Sequence, residues 1–597
     1  MKYIIIESLS AYDYGKVKFK KNKIIWVTTS PKVCDYFFKN NINFINIEKL
    51  VNNKDLDVIS KISLKISQLS IKNFDELFLE KIYYSSAFMV SDILLRNTYT
   101  LIYKNYLLNK VLRIAQFKEV ICIGDPNEKK IKDNTLLGYD TDENLFSIII
   151  NNSNSKIKLV KYKNNEVIIN KNNYFFLKKI ISFLNINFSQ FIYKIHEKFQ
   201  TGNFNKKKNL LIINQTDHIT KSFIKLKRNF NIIFFKEKFL KLNQALISNY
   251  NLTKNLKSKY KNKLNKTLDQ SMFFFKNSKI DQEKIIDYKY SIFLALHKIL
   301  KFKKSISKNF DKIESQFNEI ISNIDKNFFI LSNFSLNFMN RLFILYCKYK
   351  NIKIILCEHG LNGMANGDRY FQKLDRMCMA DYGIYYWKKR FNVDKNFFRN
   401  VTKHKKIISG FPNFYKQIGF IIFIKKILIK LLLRLPIKKK VIIVLSDLEK
   451  NNSAYPGSSF DYQIININKK IVEYLAQNNP DKIVILKLYA VQKFLNLYNY
   501  EDLVSKFNNV KIVRDISFYY LKDLADEVYL WNASATLLDC ILSNSNKVYF
   551  IKLPEIKSFI NDFIDKKIYH KTNFKSQWFL LRKYYKKISY NWVKVIN

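Results

Sequence analysis

A carboxylate, an imidazole and a guanidinium lie within twelve residues at Glu358, His359 and Arg369, in the run Cys357-Glu358-His359-Gly360-Leu361-Asn362-Gly363-Met364-Ala365-Asn366-Gly367-Asp368-Arg369. Together they supply what group transfer requires: a base or hydrogen-bond donor at the reacting atoms, and a cation for a phosphate or developing oxyanion. The run leaves an apolar stretch, Ile352–Cys357, that reads as a buried strand, and its glycines permit tight turns and close backbone approach to a ligand. The chain holds 11 glycines and 11 arginines, and four of each (Gly360, Gly363, Gly367, Gly383; Arg369, Arg376, Arg390, Arg399) fall between 360 and 399. His359 is one of only six histidines. The plain alternative is a surface turn beside a hydrogen-bonded core histidine.

A second group gathers further on. The expected strand Glu527–Trp531 runs into Asn532-Ala533-Ser534-Ala535-Thr536, which opens a helix carrying Asp539. Ser534 suits an N-cap, and a helix N-terminus offers backbone N–H groups and a positive dipole end to a phosphate. Lys487 ends the expected strand Lys482–Lys487, and Ser446 ends Val441–Ser446. Gly410-Phe411-Pro412-Asn413 closes a short strand and suits the backbone wall of an interdomain cleft. Ordinary capping and turn formation would produce the same residues without a ligand.

The elements that must position these groups read as three α/β lobes. Residues 1–200 form the first, with strands expected at Tyr3–Glu7, Lys23–Thr28, Asn43–Ile47 and Glu119–Gly124. A polar break at Gln200-Thr201-Gly202-Asn203 opens the second, 201–416, with strands at Leu210–Asn214, Asn231–Phe235, Phe328–Ser332, Ile352–Cys357, Gly383–Trp387 and Lys406–Ser409. Residues 437–597 make the third, with further strands at Val510–Val513 and Lys547–Ile551 and with C-terminal helices. Apolar runs joined by helix-length connections imply a parallel sheet in the first lobe and doubly wound, Rossmann-like sheets in the other two, whose ligands bind beyond the carboxyl ends of the strands.

Composition sets the bounds. The chain has 597 residues, 48% of them apolar, which suffices for several cores. Its 103 Lys+Arg against 49 Asp+Glu give a net charge of +54. Anionic partners fit such a charge. Yet Arg is scarce beside Lys, Asn, Ile, Phe and Tyr, all residues of A/T-rich codons, and Lys lacks the bidentate fork that favours Arg in nucleic-acid recognition. No nucleic-acid-binding signature accompanies the charge, so a basic nucleic-acid-binding protein is the weaker reading. Six cysteines without a CxxC pair argue against a disulfide scaffold or a zinc ribbon. The opening Met1–Glu7 reads as a strand rather than a signal-peptide core, and no uncharged run is long enough to span a membrane. A cytoplasmic protein, peripheral on the inner face of the membrane at most, is expected.

Residues 417–436 form a basic apolar stretch, stopped by Pro436. Lys426, Lys430 and Arg434 recur every four residues beside a broad apolar face, as in an interfacial helix on an anionic membrane. A helix packed between lobes would show the same pattern.

The order of these motifs carries a resemblance: strand–Glu358-His359-Gly360, Ala380-Asp381-Tyr382-Gly383, Gly410-Phe411-Pro412, then Ala525-Asp526 and Asn532-Ala533-Ser534-Ala535-Thr536 with Asp539. Over roughly 328 to 552 the chain resembles bacterial capsule and lipopolysaccharide glycosyltransferases of GT-B architecture and the related CDP-glycerol glycerophosphotransferases. The resemblance implies two Rossmann-like lobes facing a cleft, plus an extra N-terminal lobe, with a nucleotide-activated sugar bound between lobes two and three. By it His359, with Glu358 and Arg369, is catalytic. Gly360, Gly410, Ser446, Lys487, Asn532, Ser534, Thr536 and Asp539 hold the donor, and the acceptor is a polysaccharide or a lipid-linked molecule. A polyol-phosphate transferase is the alternative within the resemblance. Neither a metal nor a cofactor beyond the nucleotide-sugar substrate is expected. Two departures stand out: Glu358 replaces the usual Gln or Trp, and Lys487-Leu488-Tyr489-Ala490 lacks the usual His-Pro.

Overall fold

A computed structural model of the chain describes residues 1–78, 86–116, 118–127, 144–162, 208–213, 226–235, 258–282, 284–308, 310–324, 328–333, 338–357, 380–385, 405–408, 419–446, 461–488, 498, 500–514, 516, 518–522, 524–531, 547–552, 570–571 and 577–580. Its first sheet contains β1 (Lys2–Ile6), β2 (Ile24–Thr28), β3 (Phe44–Asn46), β4 (Glu119–Gly124) and β5 (Lys158–Lys161), in the order β3-β2-β1-β4-β5. Every pairing is parallel. The second sheet contains β6 (Asn209–Ile212), β7 (Asn231–Phe234), β8 (Phe328–Asn333), β9 (Lys353–Cys357), β10 (Tyr382–Tyr385) and β11 (Lys405–Ile408), in the order β11-β10-β9-β8-β6-β7, again all parallel.

The third sheet runs β14 (Val510–Val513), β13 (Ile483–Lys487), β12 (Val441–Leu445), β15 (Glu527–Leu530) and β16 (Lys547–Lys552) in parallel. An antiparallel edge follows, β18 (Gln577–Leu580) and β17 (His570–Lys571). In each sheet the chain order reverses at an internal strand, so all three are doubly wound. The first lobe, expected as a plain α/β addition, therefore has the same strand order as the parallel part of the third. Helices were expected after β16; the described part of that stretch is the antiparallel pair, whose Trp578 and Phe579 suit a strand.

Continuous apolar runs are what strands buried on both faces require. In β1, Tyr3 and Ile5 face one core while Ile4 and Ile6 face another. In the second sheet, Ile330, Ile354 and Leu356 join the first of these cores, and Leu331, Ile355 and Cys357 line a separate one. Thus one face of each of the first two sheets looks onto a single shared core. The helices Asn53–Phe78 and Ser86–Ala115 occupy it with Ser258–Met272 and Tyr288–Lys308.

Buried amides tie these helices across the lobes. Asn109 Oδ1 accepts the backbone N–H groups of Ile285 and Ile286 at 2.8 and 2.6 Å, and Asn105 Nδ2 donates to Asp287 O and Ser291 Oγ, both at 3.1 Å. Gly124 ends β4 against the helix Leu145–Asn151, where a Cβ would overlap Ser147 Oγ.

The two Ala-Asp pairs lie at the opposite ends of their sheets from the carboxyl edges. Asp381 exchanges hydrogen bonds with Ile354: its N–H donates to Ile354 O, and its Oδ2 accepts Ile354 N–H, each at 2.8 Å. Lys348 Nζ lies 2.8 Å from Asp381 Oδ1. Asp526 repeats the exchange with Val441, both bonds 2.8 Å. Each aspartate pins the start of a central strand to its neighbour.

The basic stretch forms the helix Gly419–Leu432, packed on the third lobe. The expected outward stripe of Lys426, Lys430 and Arg434 is corrected in part. Lys430 is buried among Ile429, Leu432 and Leu433, and its Nζ donates to Ile437 O and Lys439 O at 2.5 and 2.8 Å. Desolvation by this burial lowers its pKa, against the opposing pull of Asp526. Lys426 Nζ lies 4.0 Å from Asp526 Oδ1, and only Arg434 of the three is well exposed. Two carbonyls satisfy the ammonium, so the lysine stem follows its apolar neighbours inward. Among the described residues no helix is long and apolar enough to cross a membrane.

Replacing Asp381 by Ala leaves the buried Ile354 N–H without its acceptor, which costs about 1–3 kcal/mol. Denaturant titration should show that loss for Asp381→Ala, with Asp381→Asn closer to wild type because an amide oxygen still accepts.

Candidate functional site

In doubly wound sheets the strand ends converge on a carboxyl edge, and two of the candidate runs follow such strand ends in sequence. Cys357, buried, is the last residue of β9, and Glu358 follows it. Trp531, also buried, follows β15 and precedes Asn532. Glu358, His359, Gly360, Arg369, Gly410, Asn532, Ser534, Thr536 and Asp539 lie outside the described residues.

Ser446 and Lys487 are described, on adjacent strand ends of the third sheet. Ser446 N–H donates to Lys487 O at 3.1 Å. Lys487 is buried, and its ammonium donates to Leu488 O and, at 3.1 Å, to Arg514 O. It therefore bridges the ends of β13 and β14.

Sequence reasoning missed the residue that organises this edge. Asn468, wholly buried in the helix Asp461–Asn478, donates through Nδ2 to Ser446 Oγ at 2.8 Å and to Tyr500 OH at 2.9 Å. Its Oδ1 accepts Trp531 Nε1–H at 3.1 Å. One amide thus ties together the ends of β12 and β15 and the entry to the helix Glu501–Lys506. Tyr500 sits in the left-handed region at φ 56°, a strain that bulky residues adopt only where surroundings hold them. Tyr498 packs edge-on against it with centroids 4.8 Å apart, and burial raises the Tyr498 pKa well beyond the usual phenol range. An isolated Asn in an Asn-rich chain carries no sequence signal; Trp531, one of five tryptophans at a strand end, carried a weak one.

The first lobe reaches this edge directly. Glu48, buried just beyond β3, accepts Tyr462 N–H at 3.2 Å through Oε2 and Tyr103 OH at 3.2 Å through Oε1. Tyr462 lies in the first turn of Asp461–Asn478, so a carboxylate of the first lobe meets the positive end of a third-lobe helix. Lys49 Nζ stands 5.1 Å from the Tyr462 ring centroid, and Lys39 pairs with Glu501. A helix that follows a parallel strand begins at the carboxyl edge, so the carboxyl edges of the first and third sheets border one seam. The sequence reading did not include that contact.

No protein-family model matches the chain, and no curated protein matches it. Among solved structures the chain is similar to the crystal structure of MurG from Acinetobacter baumannii, at 10% identity over 60% of this chain and 84% of that one, with a TM-score of 0.26. So loose an overlap carries no argument; the fold rests on the strand orders above.

Asn468→Leu should lower stability by about 1–3 kcal/mol, since Trp531 Nε1–H loses its acceptor in a buried site. Denaturant melts would measure it. Ser446→Ala should cost less, because Asn468 keeps its other two partners.

Proposed function

We propose that the chain is a glycosyltransferase of GT-B type, moving a sugar from a nucleotide-activated donor to a polysaccharide or lipid-linked acceptor of the cell surface. The observation that carries this reading is positional. Strands β9, β12, β13 and β15 all end at carboxyl edges of doubly wound sheets, and the candidate residues begin at those ends.

In this reading His359 takes the acceptor proton or steadies the leaving group, with Glu358 beside it, and Arg369 neutralises developing charge. Ser534 and Thr536, at a helix start, hold the donor phosphates, with Gly360 and Gly410 admitting them and Asn532 alongside. Asp539 meets the ribose or base. Ser446 lies on the floor that Asn468 fixes. Lys487 would touch the donor by exchanging one of its two carbonyl partners for a phosphate oxygen. Helix dipole and cations carry the leaving phosphate's charge, so the reaction proposed needs no metal.

Thermal-shift titration with CMP, CDP, UDP and GDP tests the donor site. A nucleotide at a hundredfold its Kd adds about 2.7 kcal/mol. Stabilisation by one nucleotide over the others is the expected outcome and names the donor class; indifference to all of them removes the reading. With the donor known, His359→Ala should abolish transfer while leaving the melting temperature and nucleotide affinity near wild type, and full activity in that variant would overturn the catalytic assignment.

A further inference from the structure

The correction at Lys430 leaves an unexplained surface beside it. The helix Gly419–Leu432 turns Ile429 and Lys430 inward and leaves an apolar stripe at its surface. Phe423 is 60% exposed and Leu431 55% exposed, with half-buried Ile427 midway between them at helical spacing. Lys430 also draws the following turn back through its bonds to Ile437 O and Lys439 O. Ile437, 53% exposed, is thereby fixed near the end of the same helix, and Lys438, Lys439 and Lys440 after it are all exposed.

The helix ends with Leu435 N–H donating to Lys430 O at 2.8 Å and Arg434 N–H to Leu431 O at 3.0 Å. That termination places its middle residue in the left-handed region, where glycine is usual. Here Arg434 occupies it at φ 51°, exposed, with the strain a side chain brings. A cation is thus held beside Leu431 at a conformational cost.

We propose that this surface (Phe423, Leu431 and Ile437, bordered by Arg434 and Lys438–Lys440) docks on an anionic lipid surface. Apolar side chains at one level with cations around them match a helix lying in the headgroup region. The apolar residues enter the acyl boundary and the cations meet anionic headgroups. A second copy of the chain is disfavoured as the occupant, because self-association would bring four exposed cations against their equivalents in a +54 protein. The contact differs from the one the sequence suggested in one residue: Lys430 serves the protein side rather than the row of cations at the lipid. It stands independently of the transferase reading.

The test is co-sedimentation of the full chain with vesicles of phosphatidylcholine alone and of phosphatidylcholine mixed equally with phosphatidylglycerol. Wild type should pellet with the anionic vesicles and not the neutral ones. The double variant Phe423→Ser/Leu431→Ser leaves the net charge unchanged, so it isolates the apolar part and should weaken anionic-vesicle binding by about tenfold or more. Both residues are exposed, so its melting temperature should stay near wild type; should it fall, Ile437→Ser on the turn carries the same test. Lys438→Gln/Lys439→Gln/Lys440→Gln should weaken binding and flatten its salt dependence. Vesicle binding unchanged in the apolar variants would reduce the effect to the general attraction of a basic protein and overturn the proposal. So would failure of wild type to pellet with either vesicle, or a wild-type dimer that the double variant dissolves, which would make a second copy the occupant.

Discussion

A parallel sheet must bury both of its faces, and here two sheets satisfy that requirement with one set of helices. Tyr3 and Ile5 of the first sheet and Ile330 and Ile354 of the second belong to the same core, filled by Asn53–Phe78, Ser86–Ala115 and Tyr288–Lys308. Separating the lobes would expose that layer to water and strip Asn105 and Asn109 of their buried partners. The first two lobes therefore behave as one body. The third has its own core around Ile442, Val484 and Trp531.

Among the described residues, Glu48, Lys39 and Lys49 tie that body to the third lobe through polar contacts. Glu48 spans the seam, bound to Tyr103 on its own side and to the Tyr462 N–H across it. Around it Lys39 meets Glu501 across the seam, and Lys469 pairs with Asp502 at 2.5 Å within the third lobe. Asp35 sits within this group; its burial raises its pKa, with Lys39 opposing and Glu501 and Asp502 adding to the rise. Ion pairs and one capping carboxylate cost far less to part than a shared apolar layer, since exposed pairs contribute only about 0–1 kcal/mol each. This seam lies where the carboxyl edges of the first and third sheets meet.

The parts legible in the sequence were those governed by local pattern. Glu119–Gly124 and Val510–Val513 emerge with their expected bounds, because a buried parallel strand writes itself as an unbroken apolar run. The helix Ser86–Ala115 was not legible as a core element. Lys104, Asn105 and Asn109 are polar yet fully buried along it, because partners distant in sequence (Thr29, Asp287, Ser291, Ile285 and Ile286) satisfy them. Lys430 failed for the same reason: its acceptors, two carbonyls beyond the helix end, exist only once the chain has turned. The seam through Glu48 joins residues 414 positions apart, beyond any periodicity. Asn468, which joins the ends of β12 and β15, was not legible either.

The two Ala-Asp pairs show how a motif can identify an architecture without taking part in its chemistry. Both belong to the ordered set that suggested the transferase resemblance, yet each aspartate works at the amino end of a central strand, exchanging two hydrogen bonds with the strand beside it. That exchange needs a carboxylate one residue before the strand and a small residue ahead of it, which is reason enough for Asp381 and Asp526 to stand where they do. A ligand at the carboxyl edge lies a full strand length away. The motif order therefore divides in two: Asp381 and Asp526 report how the sheets are started, and Glu358, His359 and Ser534 follow in sequence the strands that end at Cys357 and Leu530. Chemistry, if this chain performs group transfer, has to come from the second set, and the first set holds the strands that aim it.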